Sequence, residues 1–508
     1  MTNQDTLGIC YLVGAGPGDI GLVTLRAKEC VEIADVIVYD YLSNPEMLRW
    51  AKPGAELIYA GKKAADHTLT QDEINALLVE RTREGKVVTR LKGGDPMIFG
   101  RGGEEAEDLV EAGLAFEIVP GISSTIAGPA YAGIPVTHRA CNAQLTIFTG
   151  HEDPTKAEST VDYAAIGKAP GTKVMLMGVQ RLGKITDAMI AGGVSPDERV
   201  ALVRWATTGQ QKTLIGTVKD IAEKVISTGF KAPAVAVFGE VVRYHEKINW
   251  FENRPLFGKR IVVTRTRKQA GVLSQRLRLL GADVYELPTI RIEPPKDMLD
   301  FAEFVRDAHT YDWLVFTSPN GVESFFDVYY KIYKDARSIG GVRIAAVGPG
   351  TAQKIHEFHL DVDLLPEKHT AEGLVQAFKK DGDVENLNFL WVKAETTREV
   401  IGEELIKMGA ILDEAVAYRT VPETDDVTGA RARFEKEGAD LITFTSASTV
   451  DCFMALGLPL PKDIKVASIG PITSEAVVRH GLDVDIDAEE HTIPGLVAAI
   501  LESKELLG

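Results

Sequence analysis

The second half of the chain contains an internal duplication, which constrains its fold more than any other feature. Residues 312–322, DWLVFTSPNGV, align with residues 440–450, DLITFTSASTV, at an offset of 128. Further on, AAVGP at 345–349 matches ASIGP at 467–471 at an offset of 122, because the second copy has a shorter connection. Each copy combines strand-like apolar runs with helical patterns. The sequence therefore predicts two copies of one α/β unit.

A unit that occurs only twice predicts two lobes facing each other across a cleft, because a solenoid needs at least ~3 repeats. Ligands then bind where the carboxyl ends of both sheets meet. The groups there are hydroxyls, amides and a few cations, which suit a ligand with several carboxylates and require no metal. The expected substrate-binding residues are Arg265, Thr317, Ser318, Asn320, Gly348, Lys393, Thr445, Ser446, Ser448 and Gly470. Ser318 and Ser446 have a second interpretation as helix N-caps.

A break in the pattern at residues 249–258, NWFENRPLFG, predicts a linker between two domains, 1–248 and 259–508. The segment is rich in aromatic, Pro and Gly residues, and a new strand-like run starts directly after it at 260–264. With 508 residues, the chain is long enough for two or three domains, since single cores stop growing near ~250–300 residues. The predicted class is α/β in both halves.

In the first half, strand-like runs repeatedly end in loops of small or hydroxyl residues. GAGPGD at 14–19, GISS at 121–124 and TTG at 207–209 are three of these loops, and they alternate with helical patterns. Ligands bind at the carboxyl ends of strands in open α/β sheets. The pattern therefore predicts a cleft lined by backbone. A nicotinamide site is a minor alternative, because Pro17 supplies no N–H and Asp19 adds negative charge where a pyrophosphate would lie.

The most informative loop is residues 91–105, LKGGDPMIFGRGGEE. Gly93 and Gly94 allow backbone to approach a ligand closely, and Asp95 suits a ribose or an amino-acid group better than a phosphate. Arg101 has two interpretations. It grips a substrate carboxylate with both arms of its guanidinium group, or it pairs with Glu104 or Glu105 in the first turn of the next helix.

Two more charged residues follow predicted strands. Asp40 comes after the run 36–39, and Lys62 comes after the run 56–60. We expect both to reach the same rim of the sheet, although solvent exposure is the commonest fate of such residues.

Composition excludes several classes of partner. A formal net charge of −17 argues against nucleic acid and anionic membranes, both of which require basic patches. The N-terminus carries no signal-peptide pattern and no apolar run approaches ~18 residues, so we expect a cytoplasmic protein. The four cysteines are too widely spaced for a metal knuckle and are expected to be buried free thiols, and we expect no metal site.

Five ordered motifs of the first half carry a family resemblance. GAGPGD at 14–19, VYD at 38–40, GGDPMIFGRGGEE at 93–105, VPGISS at 119–124 and YAGIPVTHR at 131–139 resemble the tetrapyrrole methylases, in particular the uroporphyrinogen-III C-methyltransferases. The resemblance covers roughly residues 7–244. It implies a two-lobed methylase fold that binds S-adenosylmethionine in a folded conformation, and a homodimer formed through this domain.

The resemblance also implies roles for individual residues. Asp40 accepts a proton, Lys62 donates one, and Arg101 holds the substrate. The residues that contact the methyl donor are Pro17, Gly93, Gly94, Asp95, Ile98, Ser123, Ser124, Met177 and Gly209.

Residues 257–507 are similar to uroporphyrinogen-III synthases through the paired FTS strands, the two GP turns and VAYRT at 416–420. This similarity implicates Tyr418 in loss of the substrate hydroxyl. Together the two resemblances imply a bifunctional enzyme that closes hydroxymethylbilane to uroporphyrinogen III and methylates it twice to precorrin-2. The alternatives are a methylase with a non-catalytic tetrapyrrole-binding or sensor module, and a methylase acting at another ring position.

Overall fold

The structure is a computed structural model that describes residues 8–61, 69–151, 160–265, 267–423 and 425–507. Its strands are β1 Ile9–Gly14, β2 Val36–Tyr39, β3 Glu56–Tyr59, β4 Val87–Lys92, β5 Ala115–Val119, β6 Leu145–Thr149, β7 Thr172–Leu176, β8 Arg199–Arg204, β9 Lys212–Thr217, β10 Ala234–Phe238, β11 Arg260–Val263, β12 Asp283–Glu286, β13 Ile290–Glu293, β14 Trp313–Phe316, β15 Arg343–Ala346, β16 Asn388–Ala394, β17 Ile411–Pro422, β18 Leu441–Phe444, β19 Lys465–Ser468 and β20 Ile486–Asp487.

The helices that accompany these strands are α1 Leu25–Ile33, α2 Gln71–Arg83, α3 Gly102–Glu111, α4 Ser124–Tyr131, α5 Tyr163–Lys168, α6 Leu182–Ala191, α7 Ile221–Ser227, α8 His245–Ile248, α9 Arg267–Leu279, α10 Met298–Arg306, α11 Pro319–Ile332, α12 Pro349–Glu357, α13 Ala371–Asp381, α14 Val400–Lys407, α15 Ala430–Glu437, α16 Ala447–Ala455, α17 Pro471–Arg479, α18 Ile493–Glu502 and α19 Lys504–Leu507.

The first half forms two sheets. The first has the order β3-β2-β4-β1-β5 and is parallel throughout. The second has the order β6-β7-β10-β8-β9, with one parallel pair, β6 and β7, and antiparallel pairing elsewhere. The strand order of the first sheet places the ends of β1, β2 and β4 side by side, so the loops that follow them meet at one edge.

The second half also forms two sheets. We expected each copy of the duplication to form one lobe, and this expectation was wrong. The sheet of the near lobe has the order β12-β11-β18-β19-β20, and that of the far lobe β13-β17-β16-β14-β15. Each lobe thus combines strands of both copies. The far lobe is one continuous segment inserted between β12 and β18. Its two connections pair with each other as antiparallel strands, from Ile290 opposite Pro422 to Glu293 opposite Arg419.

Apolar runs predicted most strands to within a residue or two, but β4 extends further than its apolar residues. The adjacent apolar residues at its start are only Val87 and Val88, whereas β4 continues through Arg90 to Lys92. Alternate side chains of a strand point to the same face, so Arg90 and Lys92 both enter the interior beside Val88. Both side chains are almost completely buried.

The buried cations of β4 are compensated by Glu105, whose side chain is 0% exposed. Its Oε1 accepts hydrogen bonds from Lys92 Nζ at 2.5 Å and Arg90 Nε at 3.3 Å. Burial, assisted by the neighbouring Arg90, lowers the pKa of the Lys92 amine. Glu104 and Glu105 both lie in the first turn of α3, as predicted. Only Glu104 remains exposed.

The segment 249–258, predicted as a linker, is packed against both halves. Trp250 Nε1 donates to Ala130 O at 3.0 Å, and Phe251 is buried against Tyr131. Leu256 is buried in the apolar core of the near lobe. The segment therefore fixes the two halves to each other.

All four cysteines are free thiols, as expected, although only Cys10 and Cys30 are fully buried. Burial raises the pKa of Cys30 to about 11. Among the described residues, no helix has the length and apolar composition needed to cross a membrane.

The buried cluster around Glu105 leads to a stability prediction. Glu105→Gln should lower the free energy of unfolding of the first half by about 3 kcal/mol, because removing one partner leaves buried cations uncompensated. The measurement is the midpoint of thermal unfolding of the full chain. The matched control is Glu104→Gln, an exposed carboxylate paired with Arg101, for which we expect roughly 0–1 kcal/mol. Equal midpoints for the two variants would contradict the prediction.

Candidate active site

A cavity of about 640 Å³ lies between the two sheets of the first half. This volume is within the ~300–1,000 Å³ usual for small-molecule sites. Its walls include the loops after β1, β2 and β4, the start of α4, and the loops after β7 and β8. These are mostly the small-residue loops that the sequence analysis singled out.

One end of the cavity is formed by backbone in close contact. Gly16 N donates to Gly94 O at 3.2 Å, and Gly94 N donates to Gly16 O at 2.7 Å. A Cβ on Gly121 would lie only 2.2 Å from Gly94 O, and a Cβ on Gly14 would lie 2.5 Å from Gly121. Gly94 has φ +73°, which favours glycine. The carboxylate of Asp95 joins two of these loops by accepting from Met97 N and Gly121 N.

The two sheets are connected across the cavity through Asp19. Its backbone N–H donates to Thr207 Oγ1 at 3.0 Å, and its carboxylate accepts from Tyr131 Oη at 2.9 Å. Burial, with the nearby Asp19 carboxylate, raises the pKa of Tyr131. The phenol therefore remains a hydrogen-bond donor at neutral pH.

Several non-glycine residues that line the cavity have left-handed backbone. They are Phe99, Met177, Trp205 and Thr207, with φ between 47° and 70°. Such strain costs ~1–3 kcal/mol per residue and concentrates at functional sites. This strain could not be predicted, because nothing in a local sequence pattern indicates positive φ at a Trp or a Thr.

The nine residues expected to contact the methyl donor all line this one cavity: Pro17, Gly93, Gly94, Asp95, Ile98, Ser123, Ser124, Met177 and Gly209. Two of them have additional structural roles. Ser123 caps α4 by accepting from Thr125 N. Gly93 leaves room for Leu42, since a Cβ there would lie 2.5 Å from Leu42 Cβ.

Asp40 lies at the end of β2, next to the lining residues Tyr41 and Leu42. Its Oδ1 accepts from Leu42 N at 3.0 Å, and its Oδ2 lies 3.5 Å from Arg90 Nη2. Arg90 therefore connects Asp40 to the buried Glu105. No sequence motif indicated this orienting role of Arg90, because a charged residue inside a strand forms no recognisable pattern.

The other two residues expected to act on the substrate are Lys62 and Arg101. Lys62 lies outside the described residues. Arg101 pairs with Glu104, the second of its two predicted roles. Its Nε and Nη2 donate to both carboxylate oxygens of Glu104, which raises the pKa of the guanidinium group. In this structure it forms an exposed ion pair, and it is not one of the residues that line the cavity.

The second half supplies part of the cavity wall, which the sequence did not predict. The near lobe contributes Arg278, residues 282–286, residues 428–430 and Arg433. Such contacts between distant segments leave no periodicity in the sequence.

The expected residues of the second cleft lie at strand ends of two different lobes. Tyr418 is 7% exposed, and its Oη lies 3.0 Å from Ser318 Oγ. Burial raises the pKa of Tyr418, which keeps the phenol protonated. On the far lobe it is accompanied by Thr317, Ser318, Asn320 and Gly348, whereas Arg265, Thr445, Ser446, Ser448 and Gly470 belong to the near lobe.

Some of these residues are already engaged. Ser318 and Ser446 are N-caps of α11 and α16, accepting from Gly321 N and Thr449 N. Burial lowers the pKa of Arg265.

Lys393 requires a correction as a residue that binds substrate. Its side chain is only 5% exposed, and its Nζ donates to Glu414 at 2.6 Å and to both oxygens of Glu399. The amine is thus engaged by two partly exposed carboxylates, and the substrate-binding role expected from the repeat does not fit it.

The lining of the first cavity combines polar and apolar groups. It includes the backbone of the glycine loops, the carboxylates of Asp19 and Asp95, and exposed apolar side chains such as Met177. Within the described ranges, no group of His, Cys, Asp and Glu residues has the arrangement of a metal site.

Comparison with known proteins assigns a family to each half. Residues 10–222 match the family described as Tetrapyrrole (Corrin/Porphyrin) Methylases, and residues 271–498 match the family described as Uroporphyrinogen-III synthase HemD. A relative from Ruminiclostridium josui, named porphyrin biosynthesis protein HemD, is 36% identical over 97% of this chain and 98% of its own length.

Two further similarities concern the first half alone. An S-adenosyl-L-methionine-dependent uroporphyrinogen III methyltransferase from Methanosarcina barkeri is 50% identical over 47% of this chain and 94% of its own length. A solved uroporphyrin-III C-methyltransferase from Thermus thermophilus, complexed with S-adenosyl homocysteine, is 37% identical, covers 46% of this chain and 99% of its own, and has a TM-score of 0.41.

The match to the Ruminiclostridium relative extends over nearly the whole of both chains, and the two family matches fall on opposite sides of the packed segment 249–258. The chain therefore belongs to the family of fused enzymes of tetrapyrrole biosynthesis in which an S-adenosylmethionine-dependent uroporphyrinogen-III C-methyltransferase precedes a uroporphyrinogen-III synthase.

Proposed function

We propose that the second half closes hydroxymethylbilane to uroporphyrinogen III, and that the first half methylates this product twice to precorrin-2. One observation carries the methylase part: nine residues from five separate loops, expected from the family resemblance to bind the methyl donor, line a single cavity. These residues are separated by up to 192 positions in the sequence, so their meeting in one cavity is difficult to explain by chance.

The proposed donor site is the cavity beside the Gly16–Gly94 contact. When bound there, S-adenosylmethionine supplies an activated methyl group. The protein's part is to position the reactants, which is worth several kcal/mol when the reacting atoms are aligned. Tyr41, Leu42 and Phe99 form an exposed apolar rim suited to the face of a tetrapyrrole.

Asp40 is the proposed base that removes a proton from the alkylated ring carbon. Arg90 and the amide of Leu42 fix the orientation of its carboxylate, and the carboxylate remains partly accessible beside the cavity. Lys62 stays the proposed proton donor and Arg101 the proposed substrate contact. For Arg101 this role requires exchange of Glu104 for a substrate carboxylate.

In the synthase half, Tyr418 is the proposed donor to the departing hydroxyl of hydroxymethylbilane. Its protonated phenol and its neighbour Ser318 support this role. The remaining residues at the lobe ends, apart from Lys393, are proposed to hold the substrate carboxylates through hydroxyl groups, amides and Arg265.

The deciding experiment is to incubate the full chain with hydroxymethylbilane and S-adenosylmethionine and to identify the products by mass spectrometry. A product with two added methyl groups supports the proposal. Methylation of supplied uroporphyrinogen III without any closure of hydroxymethylbilane would instead support the binding or sensor module, and product analysis by NMR distinguishes methylation at another ring position.

We further propose the division into a methylase domain at 1–248 and a synthase domain at 259–508, joined by the segment 249–258. Homodimerisation through the methylase domain, the absence of nucleic-acid partners and a cytoplasmic location are proposals of the same kind.

Gly94→Val should abolish donor binding. A β-branched residue at φ +73° costs ~1–2 kcal/mol or more in backbone strain, and its side chain enters space that the ligand needs. Gly103→Val is the matched control, because a Cβ at Gly103 has no atom within 4 Å. Isothermal titration with S-adenosylhomocysteine measures both, and normal affinity in the Gly94 variant would place the donor elsewhere.

Asp40→Asn should reduce turnover by at least ~10²-fold at saturating substrate, since a general base contributes ~10²–10⁴ in rate. Donor affinity should stay within a few-fold, because the amide has nearly the same shape. The measurement is methyl incorporation into uroporphyrinogen III. Unchanged turnover would exclude Asp40 as the base.

Tyr418→Phe should slow ring closure by ~10²–10⁴-fold if the phenol acts as a general acid. The assay is the rate and the ratio of type III to type I isomer under enzyme-limited conditions. Tyr329→Phe removes another buried phenol of the far lobe and is the matched control. A normal rate and ratio in the Tyr418 variant would assign this residue to core packing alone.

A further inference from the structure

The near lobe of the synthase lies directly against the cavity proposed to hold the methyl donor. Strand β12 is the edge strand of its sheet, and residues 282–286 line the cavity. Gly209, one of the nine donor-side residues, has no room for a side chain because a Cβ would lie 2.3 Å from Asp283 N and 2.5 Å from Ala282 C. The loop after β8 therefore packs on the backbone of the synthase domain.

Ion pairs also cross between the domains at this place. On the methylase side, Glu46 and Arg49 lie in the short 3-10 helix Pro45–Trp50. Arg49 pairs with Glu286, and Arg278 pairs with both Glu46 and Glu286. Glu286 is 4% exposed and Arg278 is 23% exposed, so these pairs are screened less than ordinary surface pairs.

The same helix is tied to the glycine loop of the cavity. Asn44, its N-cap, donates from Nδ2 to Gly18 O at 2.6 Å. Glu286 of the synthase is thus connected to the loop after β1 through Arg49, the helix Pro45–Trp50 and its N-cap Asn44. Val427 adds an apolar contact, since it packs against the core of the first sheet.

The charge of the cavity decides which ligand this wall suits. The charged lining residues are the carboxylates Asp19, Glu46, Asp95, Asp283 and Glu286, and the guanidinium groups of Arg49, Arg278 and Arg433. Each of these arginines pairs with a carboxylate of the same wall: Arg433 binds Asp283 at 2.5 Å, and the other two form the pairs described above. The lining carboxylates not matched by these arginines are Asp19 and Asp95 on the methylase loops, and their charge favours a cationic sulfonium ligand over a polycarboxylate.

We propose that the near lobe of the synthase forms the outer wall of the methyl-donor site and sets its affinity for S-adenosylmethionine. Donor binds between this wall of paired charges and the methylase loops that carry Asp19 and Asp95, and the tetrapyrrole approaches from the side of Asp40. The inference rests on the proposed location of the donor site. The synthase domain therefore serves the methylation reaction in addition to its own.

The test uses charge reversal in the full chain. Arg278→Glu repels Glu46 and Glu286 and should weaken S-adenosylhomocysteine binding roughly five- to fifty-fold, a typical size of coupling between sites. The KM for uroporphyrinogen III and the rate of hydroxymethylbilane closure should remain within two-fold. Adding Glu46→Arg to this variant restores an opposite-charge pair and should recover part of the affinity.

Arg81→Glu is the matched control, because Arg81 is 25% exposed and pairs with Glu56 and Glu84, and none of these three residues lines the cavity. If Arg278→Glu impairs hydroxymethylbilane closure, Glu46→Gln on the methylase side becomes the deciding variant, with an expected loss of a few-fold in donor affinity.

Gly94→Val distinguishes failure of the proposed donor site from failure of the proposed synthase wall. Loss of binding in Gly94→Val together with normal binding in Arg278→Glu and Glu46→Gln overturns the wall while leaving the donor site in place. Normal binding in Gly94→Val overturns the donor site itself. An equal loss in Arg278→Glu and Arg81→Glu overturns the wall as well, since it assigns the effect to general destabilisation.

Discussion

The methylase cavity depends on three loop backbones that touch without side chains between them. Gly14, Gly94 and Gly121 lie so close that a Cβ on the first or third would overlap main-chain atoms of its neighbours. Because these loops follow β1, β4 and β5, any added side chain would push apart the ends of three adjacent strands. The end of the cavity is consequently made of main-chain groups, whose positions the sheet itself fixes.

Beneath this surface, buried charge determines how one reactive group is presented. Glu105 holds Arg90 and Lys92 inside the first sheet, and Arg90 reaches the carboxylate of Asp40. Buried ion pairs add little net stability compared with well-packed apolar residues. Their value here is orientation, since a rigid guanidinium group fixes the direction of the Asp40 carboxylate better than solvent would.

Much of this arrangement could be predicted from local sequence, but long-range features could not. Apolar runs predicted most of the strands, the small-residue loops predicted a cleft lined by backbone, and the family resemblance supplied the nine residues that share the cavity. The full extent of β4 could not be predicted because Arg and Lys are typical of surfaces. Only the structure shows that Glu105 compensates the charges of Arg90 and Lys92 in the interior. Lys393 looked available because its partner Glu414 lies on the neighbouring strand. The contribution of β12 to the first cavity arises only from the packing of the two domains.

The insertion of the far lobe into the near lobe has a consequence for synthesis on the ribosome. Strands β11 and β12 emerge early, but their sheet partner β18 follows only after the entire far lobe. The far lobe can fold while the near lobe still waits for its last three strands, since domains generally fold as units during translation. The edge strand β12 already has the methylase domain, which precedes it in the chain, as a packing partner while β18 is still missing.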